Sequence, residues 1–445
     1  MATPEGRSLS PLPHGDAGRE VFNDEKIVLV MVGLPARGKS FISHKITNFL
    51  SWLGVKAQIF NVGSLRRKLT AGKQSFDFFD ASNAAAKQQR EDLAFASLQT
   101  ALQWLAEGGE VAIFDATNTT RDRRSLVIER CAKFSTDIQV VFVESICDDK
   151  DVLESNFMQK VTNSPDYKDM PLEDAMADLR KRIEKYESVY ETLEDDNLSY
   201  IKLINMQSKV ICNRIYGNMA HLLVPFLMSI HIVDRPIYIC RPAHFIKDPQ
   251  SISFRELSGI AEGKESTMLS EAGGRFAIRL KELLQREMDK KDATPLKQLR
   301  VYSSPAPRAL QTIAPLGLDY RPMSALNLVD SGFLAKMPLS EIKTLMAEEW
   351  ADFCRDPMNY RVHGGESIGD LVRRLSSFVV ELERQRKPVL VVSHLLNLQL
   401  LYGYLFGHVV TDGLDTNIPM YTVIKLTPTQ YGFKEERFDL SDDVV

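Results

Sequence analysis

The sequence predicts an α/β protein with two consecutive domains, and three observations support this fold class. The chain has 445 residues, which exceeds the usual length of a domain with a single hydrophobic core. Short apolar runs alternate with amphipathic stretches in both halves, as strands do when helical crossovers join them into parallel sheets. A glycine-rich segment at 33–40 directly follows the first apolar run. Because ligands of such sheets bind at the carboxyl ends of the strands, candidate site residues are expected there.

The glycine-rich segment reads Gly-Leu-Pro-Ala-Arg-Gly-Lys-Ser and fits the phosphate-binding pattern G-x-x-x-x-G-K-[ST]. Its glycines let backbone N–H groups turn toward phosphate oxygens. Lys39 supplies a cation to the β- and γ-phosphates, and the Ser40 hydroxyl can bind Mg²⁺. A chance glycine-rich turn is the alternative, but the apolar run before it and the helix-like stretch after it argue against that. The first domain is therefore expected to be of the P-loop NTPase type and to bind a nucleoside triphosphate.

The remaining elements of the first half follow in order along the chain. Apolar, β-branched runs predict strands at 27–32, 57–62, 111–115, 138–143 and 201–205. Amphipathic stretches at 88–106 and 172–193 predict helices between them. The alternation predicts a doubly wound parallel sheet.

A second series of strands follows Pro236, with candidates at 237–240, 299–303 and 389–392. The stretch Asp234-Arg-Pro236 is the expected junction. Residues 1–22, which are rich in Pro, Gly and Ser, are predicted to be a disordered tail. The predicted domains therefore span 23–234 and 235–445.

Composition limits the classes of function. A formal net charge of −4 argues against a nucleic-acid-binding surface as the main role. The five cysteines, with no C-x-x-C spacing, suggest reduced thiols inside a cell. The longest apolar stretch, 222–232, is interrupted by Pro225 and His231 and is too short to span a bilayer. We therefore expect a cytoplasmic protein that binds neither nucleic acid nor membrane.

The run Val111–Asp115 ends in a carboxylate, as the strand that faces a P-loop often does. Asp115 would hold Mg²⁺ opposite Ser40 or accept the proton of a substrate hydroxyl; by itself it could equally be a helix cap. Hydroxyls, an amide and three arginines follow at 116–124, and guanidinium groups bind phosphate bidentately. Further arginines occur at 66, 67, 90 and 182. The set predicts an anionic, hydroxyl-rich substrate.

With these residues the first half resembles the kinase domain of the 6-phosphofructo-2-kinase/fructose-2,6-bisphosphatase family. The matching segments lie in family order at 33–40, 60–63, 66–67, 114–121, 143–149, 164–167 and 181–186. The resemblance implies transfer of the ATP γ-phosphoryl group to the 2-hydroxyl of fructose 6-phosphate, with Mg²⁺. The product, fructose 2,6-bisphosphate, would make the protein a regulator of glycolysis.

The resemblance also implies the site residues. ATP would bind Gly33, Leu34, Pro35, Ala36, Arg37, Gly38, Lys39, Ser40 and Asn156. Fructose 6-phosphate would bind Arg66, Arg67, Arg90, Thr117, Arg123, Lys160, Arg182 and Tyr186. Lys39, Asp115 and Cys147 would be catalytic. The family lysine five residues after the asparagine is Val161 here, so Lys160, one residue earlier, is the expected substitute.

The second half resembles the α/β histidine phosphatase domain of the same family, which is similar to phosphoglycerate mutase. That chemistry needs a histidine nucleophile after the first strand and a carboxylic acid for the leaving oxygen. Here the two positions are Pro242 and Leu328. His244, two residues further on, could replace the nucleophile only if the loop were rebuilt. Arg241, Arg308, Arg355 and His394 match the family and would line a degenerate pocket.

The leading interpretation is a 6-phosphofructo-2-kinase with a catalytically inactive phosphatase domain. Three alternatives remain. The first is a bifunctional enzyme with residual phosphatase activity, and the second is a sugar-phosphate sensor domain that regulates the kinase. The third is a P-loop kinase for another phosphosugar or a nucleotide. The resemblance suggests a homodimer.

Overall fold

The protein is described by a computed structural model that covers residues 25–69, 76–79, 83–206, 208–231, 235–243, 269–290, 295–330, 332, 347–356, 358–361, 363–429 and 432–442. The predicted tail 1–22, the first residue of the expected junction, Asp234, and the alternative nucleophile, His244, lie outside the described residues. Among the helices in these ranges, none is both long and apolar enough to cross a membrane.

The first sheet has six strands in the order β2-β3-β1-β4-β5-β6. They are β1 Lys26–Val32, β2 Ala57–Asn61, β3 Val111–Asp115, β4 Ile138–Ile146, β5 Tyr200–Ile204 and β6 Lys209–Asn213. All neighbours are parallel except β6, which pairs antiparallel with β5. The sheet is therefore mixed at one edge, which the strand–helix alternation did not predict, because β6 follows β5 through a short turn without a helix.

In the described part of the first half, seven α-helices connect or cover these strands: α1 Lys39–Trp52, α2 Val62–Leu69, α3 Ala84–Ala106, α4 Arg121–Phe134, α5 Lys150–Asn163, α6 Leu172–Glu187 and α7 Val224–Ser229. The helix predicted at 172–193 ends six residues early. Its expected continuation turns away because Tyr190 and Thr192 donate hydrogen bonds to the carboxylate of Glu144, which is fully buried on β4. The strand predicted at 57–62 also ends one residue early, since Val62 begins α2.

The second sheet also has six strands, in the order β12-β11-β7-β10-β8-β9. They are β7 Ile237–Cys240, β8 Arg300–Ser303, β9 Tyr320–Pro322, β10 Val389–Val392, β11 Thr422–Thr429 and β12 Gly432–Asp439. Strands β7 to β10 are mutually parallel, whereas β11 and β12 form an antiparallel hairpin beside β7. The described helices are α8 Glu271–Lys290, α9 Pro307–Ile313, α10 Ala347–Arg355, α11 Ile368–Glu383, α12 Leu395–Phe406 and α13 Val410–Leu414.

The central strands β1, β7 and β10 are almost wholly buried, which explains why they read as continuous apolar runs. One continuous cluster of buried apolar side chains extends from the first sheet, through α1 and α12, to the second. At its centre Phe49 stacks on Phe226 with ring centroids 4.0 Å apart, and the Trp52 indole N–H donates to the Leu400 carbonyl at 2.9 Å. The two halves therefore pack through α1, the helix that begins at Lys39.

Candidate functional site

The loop at 33–40 joins β1 to α1, and its backbone conformation favours glycine at two positions. Gly33 has φ 137°, and a Cβ there would lie 2.5 Å from the carbonyl oxygen of Ser145 on β4. Gly38, at φ 83°, precedes α1 in the left-handed region. Asn156 on α5 donates to the Ala36 carbonyl at 3.3 Å. The loop is thus held from β4 and α5 while α1 points its N-terminus, with its free backbone N–H groups, at the space above.

Lys39, Ser40 and Asp115 meet at the mouth of this loop. The Ser40 hydroxyl donates to Asp115 Oδ2 at 2.7 Å, and the ammonium group of Lys39 donates to the Leu34 carbonyl at 2.6 Å. Burial lowers the pKa of Lys39 to about 7; the Asp115 carboxylate opposes this shift, and the charge of Lys160 adds to it. Asp115 is therefore a partner of the P-loop serine and not a helix cap.

A row of arginines forms the opposite wall. Arg66 on α2 and Arg182 on α6 are both buried, and both bond to Oδ2 of Asp166, at 2.5 and 3.4 Å. Both guanidinium groups also lie over the Phe79 ring, at 5.2 and 4.3 Å from its centre. Burial by itself would raise the pKa of Asp166, but the charge and hydrogen bond of Arg66 and the charge of Arg182 hold it below its ordinary value. Two positive charges are thus fixed side by side.

The cavity between the two walls has a volume of about 850 Å³. Of the residues predicted to bind substrates, those that line it are Pro35, Ala36, Gly38, Lys39, Ser40, Asn156, Arg66, Arg67, Arg90, Thr117, Arg123, Lys160, Arg182 and Tyr186, together with Asp115. Pro428 and Thr429, from the β11–β12 hairpin of the second half, also border it.

Lys160 reaches the cavity because α5 places it one helical turn after Asn156, on the same face. Val161, to which the resemblance assigns the family lysine, instead packs into a buried apolar cluster between α5 and α6. The pKa of Lys160 is lowered by burial within the cavity walls, against the attraction of Asp115. Lys160 thus lines the same cavity as Asp115 and Lys39.

Four predicted residues do not line the cavity. Gly33 and Leu34 lie at the base of the loop, where their backbone groups bond to Thr117 and Lys39. Arg37 points to the outer side, where its guanidinium lies 5.7 Å from the Phe157 ring centre. The thiol of Cys147 is buried, and burial raises its pKa. A catalytic role for Cys147 is not supported by this position and stays a prediction.

A second cluster lies at the carboxyl edge of the other sheet. Strands β7, β10 and β8 are parallel neighbours, so Arg241, His394 and Ser304, which follow them, meet there. His394 Nδ1 lies 2.8 Å from an Arg308 nitrogen, and its Nε2 lies 2.9 Å from Ser304 Oγ. Since a guanidinium can only donate, Nδ1 accepts and Nε2–H donates, so the imidazole is neutral. Burial first, and then the charges of Arg308 and Arg241, hold the pKa of His394 well below its usual range.

Pro242 and Leu328 stand at the two positions that the resemblance assigns to the nucleophile and the acid. Pro242 is buried directly after Arg241, and Leu328 is half-buried, with its carbonyl bound by Arg374 at 3.2 Å. Arg355, which the sequence also assigned to this pocket, is 76% exposed at the end of α10, where it pairs with Asp352 at 2.8 Å. The cluster therefore consists of Arg308 and His394, which are in contact, with Arg241 close enough for its charge to lower the pKa of His394, and no described contact joins Arg355 to them.

Sequence reasoning missed three residues that organise these sites: Asn61, Asp166 and Ser304. Asn61 and Asp166 lie inside the segments 60–63 and 164–167 that carried the resemblance, so the motif itself held the signal. Ser304 follows β8 directly, and its position at a strand end was the available signal. Each acts through a neighbouring side chain, which spacing along the chain does not show.

Comparison with known proteins agrees with this geometry. The family model described as 6-phosphofructo-2-kinase matches residues 16–234, and the one described as histidine phosphatase superfamily (branch 1) matches 253–440. The chain is 38% identical over 423 residues to a 6-phosphofructo-2-kinase/fructose-2,6-bisphosphatase 3 from Homo sapiens, covering 94% of this chain and 78% of the relative. A 6-phosphofructo-2-kinase/fructose-2,6-bisphosphatase from Aquarana catesbeiana is 36% identical over 428 residues, covering 95% and 87%. A solved structure titled as a putative alpha-ribazole-5'-P phosphatase from Escherichia coli covers 46% of this chain and 96% of the phosphatase chain, at 19% sequence identity and a TM-score of 0.37. This similarity is too distant to bear on activity.

Proposed function

The chain belongs to the 6-phosphofructo-2-kinase/fructose-2,6-bisphosphatase family and is an ATP-dependent 6-phosphofructo-2-kinase, and we propose that it makes fructose 2,6-bisphosphate in the cavity between the P-loop and the arginine wall. The observation that carries this assignment is the arrangement of Lys39, Ser40 and Asp115 on one wall and the arginine pair on the other. The two walls are suited to a triphosphate and a phosphosugar.

On the nucleotide wall, the loop backbone and the α1 N-terminus would bind the phosphate oxygens of ATP. Lys39 would leave the Leu34 carbonyl and pair with the β- and γ-phosphates, which would keep its ammonium charged. Ser40 and Asp115 supply a hydroxyl and a carboxylate 2.7 Å apart, an oxygen donor set that fits Mg²⁺, which takes one or two protein oxygens along with phosphates. When bound, that ion would neutralise charge on the transferred group.

On the substrate wall, Arg66 and Arg182 would bind the 6-phosphate of fructose 6-phosphate. Asp166 ties one edge of each guanidinium, so the substrate meets two preset donors at little further entropic cost. With the phosphate there, the sugar would extend across the cavity toward Asp115. Its 2-hydroxyl would then lie between that carboxylate and the γ-phosphate.

In this arrangement most of the barrier lowering comes from position and charge. Asp115 would accept the hydroxyl proton as the sugar oxygen attacks phosphorus, with ADP leaving in line. Lys39 and Lys160, which line the same cavity as the carboxylate, would stabilise the negative charge on the equatorial oxygens of the transferred group.

A coupled assay that follows ADP release with ATP and fructose 6-phosphate tests this proposal. We expect robust turnover of the wild type and none detectable in Lys39→Met. The exposed Lys56, changed in the same way to Met, is the matched control and should retain wild-type turnover. Turnover that persists in Lys39→Met, or that prefers another phosphosugar, would show the assignment of the loop or of the acceptor to be wrong.

For the second half, we propose that hydrolysis of fructose 2,6-bisphosphate has been lost. Support comes from the residues themselves: Pro242 has no nucleophilic atom, and Leu328 cannot protonate a leaving oxygen. His394, held neutral between Arg308 and Ser304, does not replace either group. Loss of a nucleophile alone can cost about a millionfold in turnover. Measuring phosphate release from fructose 2,6-bisphosphate decides this point, and sustained turnover would favour the bifunctional alternative.

The preserved cluster of Arg241, Arg308 and His394 favours a second candidate role, a sugar-phosphate sensor that regulates the kinase. Titrating the full chain in its Lys39→Met form with fructose 2,6-bisphosphate, with and without Arg308→Ala, would show whether that pocket binds the ligand. The homodimer suggested by the resemblance remains a prediction that sedimentation can test.

A further inference from the structure

Asn61 is the last residue of β2, and its side chain joins two parts of the kinase cavity. The backbone register pairs it with Asp115 at the end of β3. Its carboxamide nitrogen donates to Asp115 Oδ2 at 2.5 Å, and its carboxamide oxygen accepts from the Ser64 N–H at 2.8 Å. One side chain thus uses both of its polar ends within the site.

The hydrogen bond from Asn61 fixes the orientation of the Asp115 carboxylate. Oδ2 accepts from Asn61 and from the Ser40 hydroxyl, so two donors hold the same oxygen. Within the described part of the chain, Oδ1 accepts no hydrogen bond, while Asp115 itself borders the cavity. The carboxylate is therefore fixed with one oxygen tied back and the other available to a substrate.

The bond to Ser64 determines where α2 begins. Val62 starts that helix, so Asn61 is its N-cap and Ser64 is the third helical residue, the usual partner of a capping side chain. Gly63 leaves room for this cap, since a Cβ there would lie 3.2 Å from the Asn61 oxygen. One turn later α2 presents Arg66 to Asp166.

We propose that Asn61 is a positioning residue for phosphoryl transfer, which sets the distance between the carboxylate that faces the sugar hydroxyl and the helix that holds the sugar phosphate. The inference rests on the proposed function of the cavity. Asn61 itself borders the cavity, but the role proposed for it is exerted through Asp115 and through the start of α2. A one-ångström error in such a distance can reduce turnover by about a hundredfold.

Two substitutions separate the two bonds. Asn61→Ser keeps a capping oxygen, because serine caps helices about as well as asparagine, but it removes the amide donor to Asp115. We expect kcat to fall by roughly tenfold to a hundredfold, with the KM for fructose 6-phosphate and the melting temperature little changed. Asn61→Ala removes both bonds, so it should also lower the melting temperature and raise that KM as α2 loosens.

Asn83 provides a matched control, because its side chain caps α3 through the Ala86 N–H at 3.0 Å, and it does not line the cavity. Asn83→Ser should leave kcat unchanged, and Asn83→Ala should lower the melting temperature of the ligand-free protein as Asn61→Ala does. The inference is overturned if Asn61→Ser retains kcat within twofold, or if kcat in the Asn61 variants falls only in step with the melting temperature. Absence of wild-type turnover with fructose 6-phosphate would instead refute the proposed function.

Discussion

The buried ion pair between Lys45 on α1 and Glu383 at the end of α11 should be one of the contacts on which the stability of the packed halves depends. Glu383 is 6% exposed and accepts the Lys45 ammonium and the Tyr404 hydroxyl, both at 2.7 Å. Removing one member of a buried pair costs about 3–5 kcal/mol, because the other charge is left uncompensated. Lys45 is 21% exposed and Tyr404 remains, so Lys45→Met should lower the free energy of unfolding by about 2–3 kcal/mol.

This loss should depend on pH through Glu383. Burial by itself would raise the pKa of Glu383, but the charge and hydrogen bond of Lys45 and the hydrogen bond of Tyr404 hold it below its ordinary value. Because the pKa of Glu383 is lower in the folded than in the unfolded protein, the ionised carboxylate stabilises the fold. This stabilisation is complete above the unfolded-state pKa, about 4.3, and is lost as the pH falls through the folded-state pKa. In Lys45→Met the Lys45 charge no longer opposes the effect of burial, which therefore raises the pKa of Glu383. Protonation of Glu383 at low pH then removes the buried charge and reduces the loss of stability. The difference between the two proteins should therefore be largest near pH 7 and shrink toward pH 4.

Urea unfolding followed by tryptophan fluorescence measures the effect, because Trp52 lies in the same contact region. The double variant Lys45→Met/Glu383→Gln should be more stable than Lys45→Met, since the carboxylate that lost its lysine is gone and Arg235 keeps its hydrogen bonds to the Gln385 and Leu382 carbonyls. The exposed pair of Lys133 and Glu129 is the control, and Lys133→Met should cost less than about 0.5 kcal/mol. A loss in Lys45→Met of the same small size, or one equal at pH 4 and pH 7, would refute the reasoning.

Three further predictions concern the two sites. Gly33→Ala should abolish ATP binding in a fluorescence titration, because its Cβ would lie 2.5 Å from the Ser145 carbonyl oxygen; wild-type affinity would contradict this. Arg182→Lys should raise the KM for fructose 6-phosphate by roughly tenfold to a hundredfold with a smaller change in kcat, since lysine cannot bind phosphate bidentately. Pro242→His alone should release no phosphate from fructose 2,6-bisphosphate, whereas Pro242→His with Leu328→Glu should; equal rates would show that the acid is not required.

Much of the kinase site could be predicted from the sequence, because its chemistry is concentrated in short contiguous segments. The P-loop spacing predicts the roles of Lys39 and Ser40, and an apolar strand that ends in Asp115 supplies the facing carboxylate. The register of the parallel strands then brings these residues together, as the alternation of strands and helices predicts. Pro242 and Leu328, at the positions that the resemblance assigns to the nucleophile and the acid, are equally visible in the sequence.

The spacing of residues along the sequence could not predict which distant segments contact one another. Asp166 joins arginines 100 and 16 residues away, and Arg355 turns to solvent although it matches the family pattern. The antiparallel edge strand β6 was missed because a short turn gives no helical signal.

The sequence by itself determined the family, the residues of the P-loop segment and the presence of Pro242 and Leu328, since each depends on which atoms are present at fixed positions. Only the tertiary structure decided that Lys160 lines the cavity together with Asp115, that Cys147 is buried and does not line it, and that α1 joins the nucleotide loop to the second half. The physical reason is that such placements depend on which face of a helix is buried, and burial is set by the packing of segments far apart in the chain.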